Sequence, residues 1–236
     1  MSSYRGFILD ADNTLFDFNR AEREALEEAL KTNGYASCPP ESYELYHAIN
    51  EQLWRLFEQG AVSQDELRTE RFRLLLQSLP RSGGRAAEPQ KLGQDYIACL
   101  SSKGYLLPHA LQVLHCLSSK ASLVLVSNGI PTVQRGRIVR SGIGGFFKSV
   151  LISGELGISK PDPTIFRLAL GRLRLPGESV LCIGDSPSSD IRGGYQAGLD
   201  TCWYAPRTAR YPPEEPRPTY RIRDLRQLLD FPIEEG

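Results

Sequence analysis

The chain has 236 residues, with 28 Lys and Arg set against 28 Asp and Glu for a formal charge of zero. That balance leaves no basic stripe for a nucleic-acid polymer, and no apolar run approaches the roughly 20 residues of a membrane-spanning helix. The length suits an α/β domain with a sizeable core, alone or carrying one insertion.

The N-terminal "MSSYRGFILDAD" has no long apolar leader, and a strand begins almost at once at "GFIL" (6–9). From about residue 19 to residue 102 no strand is expected. Four helical stretches fill that span: "NRAEREALEEALKTNG", "PESYELYHAINEQLWRLFEQG", "SQDELRTERFRLLLQSL" and "PQKLGQDYIACLSSK". Gly34 and Gly60 read as helix stops, and Ser63 with Glu66 three residues on is a capping-box pattern. "PRSGGRAAEP" between the third and fourth reads as a flexible loop.

Strand and helix then alternate. Continuous apolar runs at 122–127, 149–153, 179–184 and 201–205 read as buried strands. Amphipathic stretches precede and separate them: "PHALQVLHCLSSK", "IPTVQRGRIVRSG", "DPTIFRLALGRL" and "SSDIRGGYQAG". A Pro-rich surface loop, "APRTARYPPEEPRPTY", leads to an expected last helix, "IRDLRQLLDF". The expected fold is α/β: a Rossmann-like three-layer core with a parallel sheet, formed by 1–18 and 103–236, plus an all-helical bundle at 19–102 inserted after the first strand. The five cysteines (Cys38, Cys99, Cys116, Cys182 and Cys202) are scattered and make no CxxC pair, which reads as reduced thiols of a cytoplasmic protein.

In open α/β sheets, ligands bind beyond the carboxyl ends of the strands. The first strand delivers Asp10, Asp12 and Thr14 there, the second Ser127, Asn128 and Gly129, and the fourth Asp185 and Asp190 of "GDSPSSD"; Lys160 of "SKPDP" arrives after the third. Taken singly, "SNG" reads as a turn, "DSPSSD" as a helix cap and Lys160 as a solvated lysine. Together they point to one site. Two carboxylates about 4 Å apart repel by roughly 4 kcal/mol at an effective dielectric near 20, so one must hold a proton or a cation must sit between them. Hard oxygen ligands suit Mg²⁺ together with phosphate oxygens. The small groups at Ser127, Asn128 and Gly129 suit a phosphate, and Lys160 supplies a point charge for it. The chemistry indicated is phosphoryl transfer.

These motifs resemble the haloacid dehalogenase superfamily: "DADNT" its first motif, "SNG" its second, the lysine of "KPDP" its third and "GDSPSSD" its fourth. The resemblance implies that Asp10 is the nucleophile and that Asp12 is the acid and then the base. It implies Mg²⁺ bound by Asp10, by Asp12 through its main-chain carbonyl, and by Asp185, with Thr14 and Asp190 in support. Lys160 would serve both catalysis and phosphate binding. The helical insertion falls where the family places a mobile cap. The dehalogenases proper lack an acid at the position of Asp12, so its presence favours a phosphatase.

"YHAINEQLWRLFEQGAVSQDELRTERF" and "AGLDTCWYA" resemble the bacterial pyrimidine 5′-nucleotidases that act on UMP, dUMP and dTMP. On that resemblance Asn50 would meet a pyrimidine edge, Trp54 would stack on the ring and Arg71 would reach phosphate or sugar. Trp54 suits the bundle core better than a stacking role, and Arg71 equally suits a solvated helix face. His47, His109 and His115 read as structural or surface residues. The expected partner is a small phosphate ester, with neither membrane nor nucleic-acid polymer, acted on by a monomer or homodimer. A sugar-phosphate or phosphoglycolate-type phosphatase, a phosphomutase and a non-catalytic phosphate-binding regulator are the alternatives.

Overall fold

The computed structural model describes residues 3–35, 41–79, 87–205 and 210–234. In chain order the elements are β1 (Gly6–Leu9), α1 (Phe18–Thr32), α2 (Ser42–Glu58), α3 (Gln64–Ser78), α4 (Pro89–Ser101), α5 (Ala110–Ser118), β2 (Ser122–Ser127), α6 (Pro131–Ser141), β3 (Ser149–Ile152), α7 (Ser153–Leu156), α8 (Pro163–Leu173), β4 (Val180–Gly184), α9 (Arg192–Gln196), β5 (Asp200–Tyr204) and β6 (Tyr220–Ile222). Residues up to Phe18 and from Gly104 onward form one compact unit, and Asn19–Lys103 forms a second.

The first unit holds a six-stranded sheet in the order β3-β2-β1-β4-β5-β6, with every pair parallel. The strands are short and apolar because both faces are covered. Phe7 and Leu9 of β1 pack with Ala110, Val113, Leu114 and Leu117 of α5 on one side. Ile8, one residue out of phase, packs with Ile165, Phe166 and Ala169 of α8 on the other. The strand order reverses direction between β1 and β4, which is where ligands bind in sheets of this kind.

Register brings the strand ends level. Leu9 lies opposite Leu125 on one side and opposite Ile183 on the other, and the Asp10 N–H donates to the Ile183 carbonyl at 2.9 Å. Asp10 therefore emerges beside Gly184, one residue before Asp185, and on the side where Ser127 ends β2.

Two expectations for the C-terminal region are corrected. Tyr220–Ile222 is a strand, not the end of a loop; it pairs with β5 at the sheet edge, Cys202 opposite Tyr220. "IRDLRQLLDF" is not an α-helix but a short 3₁₀ helix at Leu225–Asp230, because Ile222 belongs to the sheet and the remaining turn is closed by a box between Asp224 and Gln227. Among the described thiols, Cys182 and Cys202 are free and buried, and Cys99 and Cys116 are free and half-buried. Cys38 and most of the "PRSGGRAAEP" loop lie outside the described residues. No described helix is long and apolar enough to cross a membrane.

The second unit is built from α1 to α4, apart from the first residue of α1. The capping box at Ser63 is formed: its hydroxyl accepts from Glu66 N–H and the Glu66 carboxylate accepts from Ser63 N–H. Tyr46, Phe72 and Tyr96 form an aromatic cluster with ring centroids 5.2–5.5 Å apart. The buried stripe of α1, Ala21, Ala25, Leu26, Ala29 and Leu30, also contains a carboxylate, Glu22. A buried acid needs partners. Glu22 has three: Asn50 Nδ2 donates to Oε1 at 2.8 Å, His47 Nδ1 lies 2.8 Å from Oε2, and the Tyr43 hydroxyl donates to Oε2 at 3.3 Å.

Candidate active site

Asp10 is 7% exposed and Lys160 only 2%. The Lys160 ammonium donates to Asp10 Oδ1 at 2.5 Å, Asp190 Oδ1 at 2.7 Å and the Val126 carbonyl at 3.2 Å, so all three of its protons are used. Burial alone would lower the Lys160 pKa, but the two carboxylates outweigh it and hold the pKa above the ordinary lysine value. Burial raises the Asp10 carboxyl to about 7 even though Lys160 opposes the rise; Asp190 and Asp12 add to it. Asp185 is raised well above the usual carboxylate range by burial, with Asp10 and Asp190 contributing.

The second and third motifs are tied together through the main chain. The Asn128 carboxamide donates from Nδ2 to the Lys160 carbonyl and accepts at Oδ1 from the Lys160 N–H, both at 2.8 Å. Asn128 thus fixes the backbone that carries Lys160, a use its place in "SNG" does not reveal. Ser127 is buried, and its Oγ accepts from Gly129 N–H at 3.1 Å. Asp190 takes Lys160 on one oxygen and the Ser186 N–H on the other, at 3.1 Å. That approach requires glycine at 184, where a Cβ would stand 2.2 Å from the Asp190 carboxyl.

Asp12 faces α6. Its Oδ2 accepts from Gln134 Nε2 at 2.5 Å, and its Oδ1 accepts from Arg137 Nη1. Neither residue stands out in the sequence, where "IPTVQRGRIVRSG" reads as an ordinary amphipathic helix. The available signal is positional: Gln134 and Arg137 fall inside the same buried stripe as Val133 and Ile138. Trp203 is another residue the sequence does not mark; its indole N–H donates to the Asp185 carbonyl at 2.7 Å and pins the loop after β4.

Carboxylate oxygens of Asp10, Asp185 and Asp190 lie within 4.8 Å of one another, and the buried Asp10 Oδ2 has no hydrogen-bond partner among the described residues. A set of hard oxygens with one orphaned carboxylate oxygen fits a small divalent cation such as Mg²⁺. The Thr14 hydroxyl is also buried and without a hydrogen-bond partner among the described residues.

In the helical unit, Asn50 and Arg71 meet each other rather than standing apart. Arg71 Nη1 donates to Asn50 Oδ1 at 3.0 Å, so the Asn50 carboxamide links Arg71 to Glu22. Arg71 is 2% exposed, and its guanidinium carbon lies 5.0 and 5.1 Å from the Phe72 and Tyr96 ring centroids, while its Nε and Nη2 have no hydrogen-bond partner among the described residues. Trp54 is outside this network: it is partly buried, edge-on to Phe57 at 5.5 Å.

A family model for haloacid dehalogenase-like hydrolases matches residues 4–198. The HAD-hydrolase YfnB of Bacillus subtilis is 35% identical over 229 residues, covering 97% of this chain and 95% of that protein. The pyrimidine 5′-nucleotidase PynA of Streptococcus pneumoniae is 34% identical over 232 residues, 96% of this chain and 94% of its own. The pyrimidine 5′-nucleotidase YjjG of Escherichia coli is 32% identical over 225 residues, 94% of each. Among solved structures, magnesium-bound YfnB from Bacillus subtilis superposes with a TM-score of 0.88 at 34% identity, covering 97% of this chain and 98% of that one.

Proposed function

Since the chain belongs to the haloacid dehalogenase-like hydrolases, we propose that it is a Mg²⁺-dependent phosphatase of pyrimidine nucleoside 5′-monophosphates such as UMP, dUMP and dTMP. The observation that carries the chemistry is Asp10: one carboxylate oxygen is held by Lys160 and the other is buried without a hydrogen-bond partner among the described residues. That is the arrangement of a nucleophile whose reactive side is kept free for a metal and a phosphorus atom. Relatives named as pyrimidine 5′-nucleotidases at 32–34% identity support the substrate class.

Asp10, the main-chain carbonyl of Asp12, and Asp185 would hold Mg²⁺, with Asp190 fixing Lys160 beside them. When bound, the ion supplies positive charge that offsets the carboxylates and the phosphate oxygens. Asp10 attacks phosphorus; the P–O bond to the nucleoside breaks as an aspartyl-phosphate forms, and Asp12 gives its proton to the departing 5′-oxygen. Asp12 then takes a proton from water, whose oxygen attacks phosphorus, and the bond to Asp10 breaks to release phosphate. Lys160 and the main chain at Ser127–Gly129 orient the phosphate. In the helical unit the two Arg71 nitrogens without a hydrogen-bond partner among the described residues suit the carbonyl oxygens of a uracil or thymine ring, Asn50 orients that guanidinium, and Trp54 offers a ring for stacking.

The test is phosphate release from a panel of phosphomonoesters, with and without chelator, on the native chain and on Asp10→Asn. The expected result is a preference for UMP, dUMP and dTMP, lost on chelation, and no turnover by Asp10→Asn. Preference for sugar phosphates would overturn the substrate class. Turnover surviving in Asp10→Asn would overturn the covalent mechanism.

A further inference from the structure

Asp12 is not left free at the mouth of the sheet. Both of its carboxylate oxygens are taken, by Gln134 and by Arg137. The two donors sit three residues apart on α6 and therefore share a face. Arg137 is 0% exposed, and its guanidinium carbon lies 4.4 Å from the Phe16 ring centroid and 5.5 Å from that of Phe18. Burying an arginine so completely is costly unless its charge is paired and its plane is packed. Phe16 lies in the same turn as Asp12, with an isolated bridge joining the two residues. The guanidinium therefore grips the turn by its aromatic ring and its carboxylate at once.

Gln134 is also fixed. It is 1% exposed and lies across Gly129, where a Cβ would come within 2.4–2.8 Å of Nε2, Cγ and Cδ. The absence of a side chain at 129 makes room for Gln134 to reach Asp12. The turn after β2 and the turn after β1 are thereby coupled through one glutamine.

We propose that Gln134 and Arg137 are positioning residues for Asp12: they fix where its carboxyl stands, and through it the distance between the proton donor and the leaving oxygen. The two bonds are unequal. The Arg137 bond is ionic, buried and backed by two aromatic rings, so it anchors one oxygen. The Gln134 bond has a neutral donor, and it yields the second oxygen to the ester during turnover. Neither residue touches phosphate, metal or nucleoside in this assignment.

The proposal rests on the acid–base role given to Asp12 above, and its test separates the two. kcat and KM are measured on dUMP, or on whichever alkyl phosphate the panel ranks first, and in parallel on p-nitrophenyl phosphate. The aryl leaving group departs with little need of a proton, whereas the alkyl one needs it. The chains compared are native, Asp12→Asn, Gln134→Leu, Arg137→Lys, and the double variant Asp12→Asn with Gln134→Leu.

Gln134→Leu should lower kcat/KM on the alkyl ester, which reports the steps up to the aspartyl-phosphate, by about 10²-fold, the scale of a misplaced catalytic group, with a several-fold smaller loss on the aryl ester. Arg137→Lys, which keeps the charge but loses the planar fork, should fall between Gln134→Leu and Asp12→Asn. The double variant should be no worse than Asp12→Asn alone, since there is nothing left to position. Equal losses of kcat/KM on both esters in Gln134→Leu, or losses that multiply in the double variant, overturn the proposal. Equal losses of kcat/KM on both esters in Asp12→Asn itself overturn the acid role, and this proposal with it; an equal loss of kcat alone reports the water-activating step that the two esters share. Gln134→Leu replaces a neutral side chain of similar size and leaves the buried ion pair intact, so the test stands even where Arg137 variants fold poorly.

Discussion

Replacing Lys160 by methionine keeps the length and volume of the side chain while removing its charge. In the native chain the ammonium lies 2.5 Å from Asp10 and 2.7 Å from Asp190, and the side chains of these residues are 9% or less exposed. Lys160→Met leaves the two carboxylates facing each other with nothing between them. Removing one partner of a buried ion pair costs about 3–5 kcal/mol. For a chain of this size that converts to a Tm lower by roughly 6–20 °C. The loss must depend on pH, and the sign follows from Asp10. Its folded pKa, about 7, stands above its ordinary value of 3.8, so its protonation contributes stability that is complete below the ordinary value and is lost as pH rises through about 7. Without Lys160 the pair leans harder on that proton. The deficit of Lys160→Met should therefore be small near pH 5 and full at pH 8, and added Mg²⁺ should recover part of it by supplying the missing positive charge. Thermal unfolding followed by circular dichroism at the two pH values, with and without Mg²⁺, reads this directly. A Tm unchanged at pH 8, or a deficit larger at pH 5, would refute the reasoning.

Two other perturbations follow from single contacts. Trp203→Phe removes the indole donor to the Asp185 carbonyl while keeping most of the ring; on the proposed function, in which Asp185 would hold Mg²⁺, affinity for the ion by calorimetry should fall about 10-fold, as for loss of a group that orients a metal ligand, with Tm lowered by only a few degrees. In the helical unit, the hydrogen bond to Glu22 raises the His47 pKa above 6.5, so its charged form adds stability that is present below 6.5 and lost as pH rises through the higher folded value. Glu22→Gln should bring the His47 midpoint, followed by NMR, back toward 6.5, and an unmoved midpoint would mean that Glu51 or Glu44, not Glu22, sets it.

The parts of this site that can be read along the chain are those where the chemistry sits at the end of an apolar run. Asp10 and Asp185 each follow a short, continuous apolar run of the kind a buried strand has, and a parallel sheet brings all such ends to one edge. What cannot be read is pairing across the fold. Asn128 looks like a turn residue until Lys160, 32 positions on, presents its main chain to it. Gln134 and Arg137 look like the polar side of a surface helix until Asp12 comes within reach of them. Glu22 looks like one more acid in a charged helix until Asn50, His47 and Tyr43 close on it. Strand β6 is three residues long with only Ile222 buried, and it is a strand because β5 offers an open edge rather than because its own pattern demands one.

The charges at the sheet edge lead to one further step. Four carboxylates are gathered there: Asp10, Asp12, Asp185 and Asp190. Two cations answer them: Lys160 pairs with Asp10 and Asp190, and Arg137 with Asp12. Asp185 has no ion-pair partner among the described residues, and burial together with its acidic neighbours pushes its pKa up. With all four ionised the set carries a surplus of two negative charges, the amount one divalent ion removes. A phosphate monoester arrives with up to two negative charges of its own. In a partly buried site such a ligand would be repelled by an uncompensated pair of carboxylates by several kcal/mol, so on the proposed function binding of phosphate and binding of Mg²⁺ are thermodynamically linked. The linkage is reciprocal: substrate should tighten the metal by the same factor by which metal tightens substrate, and inorganic phosphate should raise Mg²⁺ affinity in a titration of the native chain. Phosphate that binds equally well with and without Mg²⁺ would mean that Lys160 and the main chain at Ser127–Gly129 suffice for it, and that Asp10 and Asp185 settle their charge by taking up protons instead.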